Sequence, residues 1–330
     1  MSNMMPDTLR EFYRGKTVLI VGAAGFLGTN IVRLLAGTEA RIIRLARKLP
    51  SLENLKGSAT IKDCQGDVRD KSLWNNLLDG VDVLIYLAAQ TSAYAANEDP
   101  HDDLELNVRP MIHLLEACRA QKRKPFIIFA STVTVVGIPR ELPVDESHPE
   151  NPLTIYDLDK FTGENYLKYY VGHGDASGTV LRMSNVYGPG PASSRPDRGI
   201  LNKMIARALA GEALTVYGKG EFLRDYMHVT DVARAFLHAG AARAELDGKH
   251  SIIGSGIGHT IAEAMHLVAD CVTTRTGKKV EVCHIEPPSP QSPIENRNFI
   301  GDPRRFVLAT GWRLEYSLKS GLDQTIKTHL

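Results

Sequence analysis

The sequence predicts an α/β fold built on a doubly wound parallel sheet, with a smaller lobe in the C-terminal half. Short apolar runs rich in Val, Ile and Leu alternate with longer amphipathic stretches, as expected for parallel strands that are buried on both faces and separated by helices. A glycine-rich turn follows the first apolar run. Beyond about residue 181 the alternation gives way to loops rich in glycine and proline, which indicates the second lobe.

The predicted elements follow one another through the first half of the chain. The strands are the runs TVLIV, ARIIRL, DVLIYLAA and PFIIFAS, and the helices between them cover residues 29–36, 71–78 and 107–120. A later helix is expected at residues 200–210, between the loops GPGPASSRPDRG and PPSPQSP. Residues 1–183 are therefore assigned to a Rossmann domain that binds a dinucleotide. Residues 184–330 form mainly a substrate-binding lobe, with about 225–247 returning to the first domain.

The composition is that of a soluble globular protein with a small-molecule partner. The chain is 43% apolar and 23% charged, and its net charge of +1 offers no electrostatic case for binding nucleic acid or an anionic membrane. No segment approaches the roughly 20 apolar residues that a bilayer span requires, and the N-terminus has no signal-peptide core. The four cysteines match no zinc or redox spacing and the eleven histidines do not cluster. We expect reduced thiols, no metal site and a cytoplasmic location.

The stretch TVLIVGAAGFLG places Gly22, Gly25 and Gly28 between the first strand and the first helix of the predicted sheet. Glycine permits a positive φ and the close approach of a ligand. A strand that feeds a helix through such a turn directs backbone N–H groups and the positive helix end at an anion. The spacing is not the common G-x-G-x-x-G, so a tight turn without a ligand remains an alternative. The position at the first turn of the sheet favours a dinucleotide pyrophosphate.

The second predicted strand ends in RIIRLARK, which bears on the choice of dinucleotide. An acidic residue about 20 positions after the glycines would bind the adenosine ribose and repel a 2′-phosphate. Ala46 occupies that position, flanked by Arg44, Arg47 and Lys48. This pattern favours NADP, with Arg47 on the 2′-phosphate. A solvated basic loop is the alternative.

Hydroxyl and phenol groups follow at positions suited to carbonyl chemistry. Ser131, Thr132 and Thr134 lie at or just past the carboxyl end of a strand, where open α/β sheets hold ligands, so these hydroxyls are expected to face the substrate. Tyr156 and Lys160 are four residues apart on one face of a predicted helix. A tyrosine has an ordinary pKa of about 10, and a nearby cation favours its phenolate. Y-x-x-x-K alone is a weak signal.

Taken in order, these motifs resemble the extended short-chain dehydrogenase/reductase family, particularly its nucleotide-sugar epimerases, dehydratases and ketoreductases. The resemblance extends over essentially the whole chain. The matching segments are the glycine turn, Gly66-Asp67-Val68, Leu87-Ala88-Ala89, Asn107, Ser131-Thr132, Tyr156 with Lys160, Arg182 with Asn185-Val-Tyr-Gly-Pro189, and Arg224-Asp-Tyr-Met-His228-Val-Thr-Asp231.

The resemblance implies a catalytic set, a cofactor site and a substrate site. The catalytic set is Thr132, Tyr156 and Lys160. Asn185 and Arg224 would hold the diphosphate of a nucleoside-diphosphate sugar, with Thr132, Thr134 and Tyr156 at the sugar; a loop cap and a surface ion pair are the alternatives for Asn185 and Arg224. The resemblance also suggests a homodimer through helices near 107–120 and 156–170. The residues expected to contact NAD or NADP are Gly22, Gly25, Phe26, Leu27, Gly28, Arg47, Asp67, Val68, Leu87, Ala88, Ala89, Tyr156 and Lys160.

The chain also departs from the family pattern. The 4,6-dehydratases follow the catalytic threonine with an acidic pair, and here Val133 and Thr134 follow it, which disfavours dehydration. We therefore expect reversible hydride transfer at a sugar carbon, with C4 as the expected carbon, in an epimerase that forms a transient 4-keto sugar. An NADPH-dependent ketoreductase is the closest alternative, and a cofactor-binding sensor or scaffold without turnover is a third. His228 is expected to be structural, and the loop at 188–199 to fold over bound sugar.

Overall fold

The computed structural model describes residues 5–51, 55, 57–193, 197, 199–287 and 293–330. Its strands are β1 (Thr17–Val21), β2 (Arg41–Ala46), β3 (Thr60–Gln65), β4 (Val83–Tyr86), β5 (Phe126–Thr132), β6 (Ser177–Met183), β7 (Asn185–Tyr187), β8 (Leu214–Tyr217), β9 (Leu223–His228), β10 (His250–Ile253), β11 (Gly258–Thr260) and β12 (Val282–Ile285). Its α-helices are α1 (Asp7–Tyr13), α2 (Phe26–Ala36), α3 (Leu73–Leu77), α4 (Ala93–Glu98), α5 (Pro100–Asn107), α6 (Arg109–Arg119), α7 (Ile155–Gly172), α8 (Ile200–Leu209), α9 (Val229–Ala241), α10 (Arg243–Leu246), α11 (Ile261–Thr276), α12 (Arg304–Thr310) and α13 (Leu318–Lys327).

The described strands include a seven-stranded parallel sheet in the order β3-β2-β1-β4-β5-β6-β10. Alternate residues of β1 enter different cores: Val18 and Ile20 pack in one apolar cluster, and Leu19 and Val21 in another. The sheet is thus covered on both faces, and the predicted α/β class is confirmed. The strand order reverses between β1 and β4. In open α/β sheets, the carboxyl ends of two such strands border a ligand-binding crevice.

Several element boundaries differ from the sequence prediction. The edge strand β3 was not predicted, because its sequence TIKDCQ is largely exposed and lacks an apolar run. The predicted helix at 107–120 is two helices, since α5 ends at Asn107 and α6 begins at Arg109 with Pro110 in its first turn. Helix α2 begins three residues earlier than expected, at Phe26. Strand β4 ends at Tyr86, so Leu87-Ala88-Ala89 follow it as a loop.

A smaller group of elements lies beside the large sheet. It contains a three-stranded sheet, β11-β9-β7, and a two-stranded sheet, β12-β8. The helices α8, α11 and α13 supply much of its apolar core. The chain also returns to the large sheet, because α9 packs in the same core as β1 and α2, and β10 pairs with β6. No described helix has the length and apolar content to cross a membrane.

Candidate active site

The glycine turn after β1 has the geometry of an anion-binding site. Gly22 has φ +85°, and a Cβ at this position would lie 2.9 Å from the backbone nitrogen of Ala88. A Cβ at Gly28 would lie 2.7 Å from the Cα of Ala23, so α2 can approach the turn only with glycine there. Gly25 is the N-cap of α2, and no side chain caps that helix end. The first N–H groups of α2 therefore face the crevice at a positive helix end.

The residues at the end of β2 contradict one part of the cofactor prediction. Arg44 is buried and does not face a ligand: its guanidinium donates to Asp63 of β3, with Nε–Oδ1 at 2.7 Å and Nη2–Oδ2 at 2.5 Å, because strand residues paired in register meet side by side. The hint for NADP drawn from Arg44 is therefore wrong. Arg47 is exposed at the end of the same strand. Ala46 lies between them, and its side chain carries no charge.

Asp67 and Val68 follow β3 and lie near the same crevice. The carboxylate of Asp67 accepts from the guanidinium of Arg69, with Nε–Oδ1 at 3.0 Å and Nη2–Oδ2 at 2.6 Å. This hydrogen bonding lowers the pKa of Asp67, and the positive charge of Arg47 contributes to the shift. Val68 packs in the apolar cluster beneath. The pairing of Arg69 with Asp67 is not predicted from the sequence, because nothing there distinguishes Arg69 from any other surface arginine.

Leu87, Ala88 and Ala89 lie directly beyond β4, against the glycine turn. The N–H of Leu87 donates to the carbonyl of Val21 at 2.9 Å. The backbone of Leu87 and Ala88 borders Gly22, which has no side chain to keep it away. Two segments that the sequence assigned to the cofactor thus come together at the point where the strand order reverses.

The end of β5 turns its hydroxyls in two directions. Thr132 Oγ1 lies 2.9 Å from Thr134 Oγ1 and accepts the Thr134 N–H at 3.2 Å. Ser131 is buried on the opposite side of the strand and donates to the carboxylate of Glu164. The expectation that Ser131 faces the substrate is therefore wrong, because successive strand residues point to opposite faces of the sheet.

Helix α7 carries Tyr156 and Lys160, and its start is fixed by local hydrogen bonds. Thr154 is the N-cap, and its Oγ1 accepts the N–H of Asp157 at 3.2 Å and donates to Asp157 Oδ2 at 2.8 Å. Asp157 also accepts from Thr134, which joins α7 to the end of β5. Tyr156, next to Asp157, is therefore held close to the Thr132–Thr134 turn.

Lys160 is enclosed by the protein. It is 3% exposed, and its Nζ lies 4.1 Å from the centroid of the Phe129 ring on β5. Burial lowers the pKa of Lys160 to about 8, while the charges of Glu164 and Asp103 raise it. Lys160 is therefore a buried cation that packs on an aromatic ring beside a strand end.

The small lobe supplies Asn185 and Arg224 on neighbouring strands. Asn185 of β7 pairs in register with Tyr226 of β9, and Arg224 lies two residues from Tyr226 on the same face. Arg224 is 8% exposed, and its guanidinium donates to the backbone carbonyls of Leu223, Glu295 and Arg297. These bonds use three of its five hydrogens.

The loop after β7 starts on top of the glycine turn. The amide of Asn30 on α2 donates to the carbonyl of Pro189 at 3.0 Å. A Cβ at Gly190 would lie 2.8 Å from the ring of Phe26. Neither contact was foreseen from the sequence, because nothing local links residues so far apart. Of the predicted sugar-covering loop at 188–199, positions 194–196 and 198 lie outside the described residues.

His228 is structural, as expected. It caps α9 through its Nδ1, its Nε2 lies 3.1 Å from Oε1 of Gln324, and its ring packs on Tyr187 and Tyr316. Burial lowers its pKa to about 4. The described cysteines are free thiols, as expected. In the described ranges no cluster of His, Cys, Asp or Glu is arranged to hold a metal ion.

Comparison with known proteins identifies the family. The sequence pattern of the NAD dependent epimerase/dehydratase family matches residues 18–254. The chain belongs to this family. It is 27% identical over 321 residues to the UDP-glucose 4-epimerase of Mycolicibacterium smegmatis, a match that covers 94% of this chain and 97% of that protein. Family membership confirms the resemblance seen in the sequence.

The fold of this chain is also similar to two solved structures of epimerases. The UDP-glucose 4-epimerase of Thermotoga maritima, solved with UDP-glucose, has a TM-score of 0.83 and 27% identity over 95% of this chain and 98% of that one. The UDP-glucose 4-epimerase of Thermus thermophilus, solved with NAD, has a TM-score of 0.79 and 29% identity over 94% of this chain and 98% of that one.

Proposed function

We propose that the protein is a nucleotide-sugar 4-epimerase that uses a nicotinamide dinucleotide. One observation carries the proposal: the glycine turn, the Thr132–Thr134 turn and the start of α7 lie along the carboxyl edge of the same sheet, with Tyr156 and Lys160 on the helix that Asp157 joins to Thr134. The similarity to UDP-glucose 4-epimerases along nearly the full length supports it.

The residues of the crevice fit the dinucleotide. The uncapped start of α2 and the space left by Gly22 and Gly28 would receive the pyrophosphate. Asp67 would meet the adenine, and Leu87-Ala88-Ala89 would border the adenosine and the pyrophosphate. Lys160 would hold the nicotinamide ribose. When bound in its oxidised form, the dinucleotide supplies a hydride acceptor at the sugar carbon.

The chemistry at C4 follows from the three side chains. Tyr156 takes the proton of the sugar hydroxyl during oxidation and returns it during reduction. Thr132 hydrogen-bonds the same oxygen. The ammonium group of Lys160 favours the phenolate form of Tyr156. The transient 4-keto sugar then rotates, and return of the hydride to its opposite face inverts C4. Asn185 and Arg224 hold the diphosphate, so that rotation does not release the ligand.

Turnover of nucleotide sugars tests this function. The purified protein is incubated with uridine, thymidine, cytidine and guanosine diphosphate sugars, and the products are resolved by NMR. We expect C4 inversion of at least one sugar without consumption of added cofactor. Stoichiometric loss of NADPH with a 4-keto sugar, and no inversion, would establish a ketoreductase instead.

The dinucleotide can carry a 2′-phosphate. We infer this from the uncharged side chain of Ala46 and the exposed guanidinium of Arg47 at the end of β2. Arg47→Ala should weaken NADP binding about tenfold, the size of one lost charge-assisted hydrogen bond, and leave NAD binding within about twofold. Calorimetric titration with both dinucleotides measures this, and Lys48→Ala is the matched control. Equal weakening of both dinucleotides would contradict the assignment.

We also infer a homodimer through α6 and α7. Helix α7 exposes three large apolar side chains, Leu158, Tyr166 and Tyr169, that are 47%, 37% and 62% exposed. Light scattering should give twice the chain mass, and Leu158→Glu should give the monomer, with Leu308→Glu on α12 as the control. A monomeric wild-type protein at micromolar concentration would contradict this interface.

A further inference from the structure

Two buried carboxyl groups lie beside Lys160 and have no part in the chemistry described above. Asp103 lies on α5 and is 1% exposed, and Asp159 precedes Lys160 on α7 and is 6% exposed. Helices α5 and α7 pack together, and Asp103 is one cause of the raised pKa of Asp159, which indicates that the two side chains are neighbours. The Oδ2 atoms of both are buried and accept from no donor elsewhere in the part of the chain that the structure describes.

A hydrogen bond between these two groups requires a proton, because two ionised carboxylates are both acceptors. Oδ1 of Asp103 accepts from Gln90 Nε2 at 2.7 Å and from Asn107 Nδ2 at 3.0 Å. Burial, followed by the hydrogen bond to Asp103 and its charge, raises the pKa of Asp159. One proton held between the two carboxyl groups would leave the pair with one negative charge.

Glu164 is the other carboxylate that acts on Lys160, and its charge raises the pKa of Lys160 ahead of that of Asp103. Glu164, one turn further along α7, accepts from Arg182 with Nη2–Oε2 at 2.7 Å and lies 3.6 Å from the Nζ of Lys168. Arg182 also pairs with Glu150 at 2.6 Å. Two carboxylates thus face two cations. The negative charge of the Asp103–Asp159 pair acts together with that of Glu164 on the ammonium group of Lys160.

Lys160 needs nearby negative charges to stay protonated because it is buried. Removing an ammonium group from water favours its neutral form, and burial lowers the pKa of Lys160 for this reason. The charges of Glu164 and Asp103 act against this loss through the protein interior, where water screens charges weakly. A neutral Lys160 would no longer favour the phenolate of Tyr156.

We propose that Asp103 and Asp159 share one proton, and that the single negative charge of this pair, together with Glu164, keeps Lys160 in its ammonium form. The proposal rests on the proposed function, in which Lys160 acts as a cation. Asp103 and Asp159 act through Lys160 and are positioning residues.

Isosteric variants separate the charge of the pair from its packing. Asp159→Asn keeps the hydrogen bond and one negative charge, whereas the double variant Asp103→Asn with Asp159→Asn keeps the shape and removes the charge. We expect the alkaline limb of kcat against pH to move down by about one pH unit or more in the double variant relative to Asp159→Asn, because loss of an opposite charge lowers the pKa of Lys160. Asp102→Asn, exposed on the same helix, is the control. Equal limbs in the single and double variants would overturn the proposal.

Unfolding measurements test the same proposal without turnover. Burial raises the pKa of Asp159 in the folded protein above its pKa in the unfolded chain. Protonated Asp159 therefore stabilises the fold below the unfolded pKa, and this stabilisation is lost as the pH rises through the folded pKa. Denaturant unfolding of the wild type should show this decline, and Asp159→Asn should lack it. An identical decline in both would overturn the proposal. If the wild type has no epimerase activity, the proposed function fails and this measurement still decides about the shared proton.

Discussion

The edge of the large sheet and the small lobe place their candidate residues by different means. At the sheet edge, Gly22, Thr132 and Tyr156 lie where a regular strand ends or a capped helix begins, and the local sequence marks these positions. In the small lobe, the guanidinium of Arg224 donates to carbonyls 71 and 73 residues further along the chain. Groups proposed for chemistry therefore depend on local geometry, whereas those proposed for substrate binding depend on long-range packing.

Removing the phenol should have the largest effect and act on the chemistry alone. Tyr156→Phe should lower kcat by about 10²- to 10⁴-fold, the usual contribution of general acid–base catalysis, with dinucleotide affinity within about threefold of wild type. Steady-state kinetics and titration with the dinucleotide measure both. Tyr166→Phe, on the same helix and partly exposed, is the control. Full activity in Tyr156→Phe would favour the non-catalytic binder.

Closing the space at the glycine turn should affect cofactor binding and stability together. The Cβ of Gly28→Ala would lie 2.7 Å from the Cα of Ala23. We expect a loss of about 1–3 kcal/mol in the free energy of unfolding, as for overpacked sites, and weaker binding of the dinucleotide.

The matched control lies at the other end of the same helix. Gly37 has φ −75°, and its added Cβ would meet nothing closer than 3.7 Å. Gly37→Ala should leave stability and dinucleotide binding within about 1 kcal/mol of wild type. Equal losses in Gly28→Ala and Gly37→Ala would show that the turn is not specifically shaped for the ligand.

Replacing the buried guanidinium of the small lobe should act on substrate affinity more than on turnover. Arg224→Lys keeps the charge but not the fork that reaches three carbonyls. We expect KM for the nucleotide sugar to rise about tenfold, and the free energy of unfolding to fall by about 1–3 kcal/mol. Arg207→Lys, an exposed residue paired with Glu212, should change neither. A fall in kcat with constant KM would contradict a binding role.

The smallest effect should come from the hydroxyl on the far side of β5. Ser131→Ala removes the hydrogen bond to Glu164, which retains Arg182, so the free energy of unfolding should fall by about 1 kcal/mol without a change in KM or kcat. Thr132→Val, one residue on, should instead lower kcat. Thermal unfolding and kinetics of the two variants make the comparison, and equal kinetic losses would show that both hydroxyls face the site.

Much of the sheet edge could be predicted from sequence because its signals are local. Apolar runs identified β1, β2, β4 and β5, and Tyr156 with Lys160 has helical spacing. The side of β5 on which a hydroxyl lies was not predicted for Ser131, since register with the neighbouring strand decides it. Arg44 was misassigned for a similar reason: its partner Asp63 lies on β3, a strand without an apolar run.

The other features that the sequence does not predict are contacts between residues that are remote in sequence. The carboxyl pair of Asp103 and Asp159 forms only when α5 packs on α7, and neither spacing nor composition brings those residues together. The same holds for the contact of Asn30 with Pro189 and for the carbonyls around Arg224. Long-range packing of this kind leaves no periodic trace in the sequence.

The amide of Asn30 links the candidate dinucleotide site to the segment that follows β7. It lies on α2, whose first N–H groups would bind the pyrophosphate, and it donates to Pro189 at the entrance of the segment that follows Asn185. A shift of α2 on dinucleotide release would be passed to that segment through this hydrogen bond. Stripping the dinucleotide should therefore weaken nucleotide-sugar affinity, and by thermodynamic reciprocity a bound sugar nucleotide should retain the dinucleotide by the same factor.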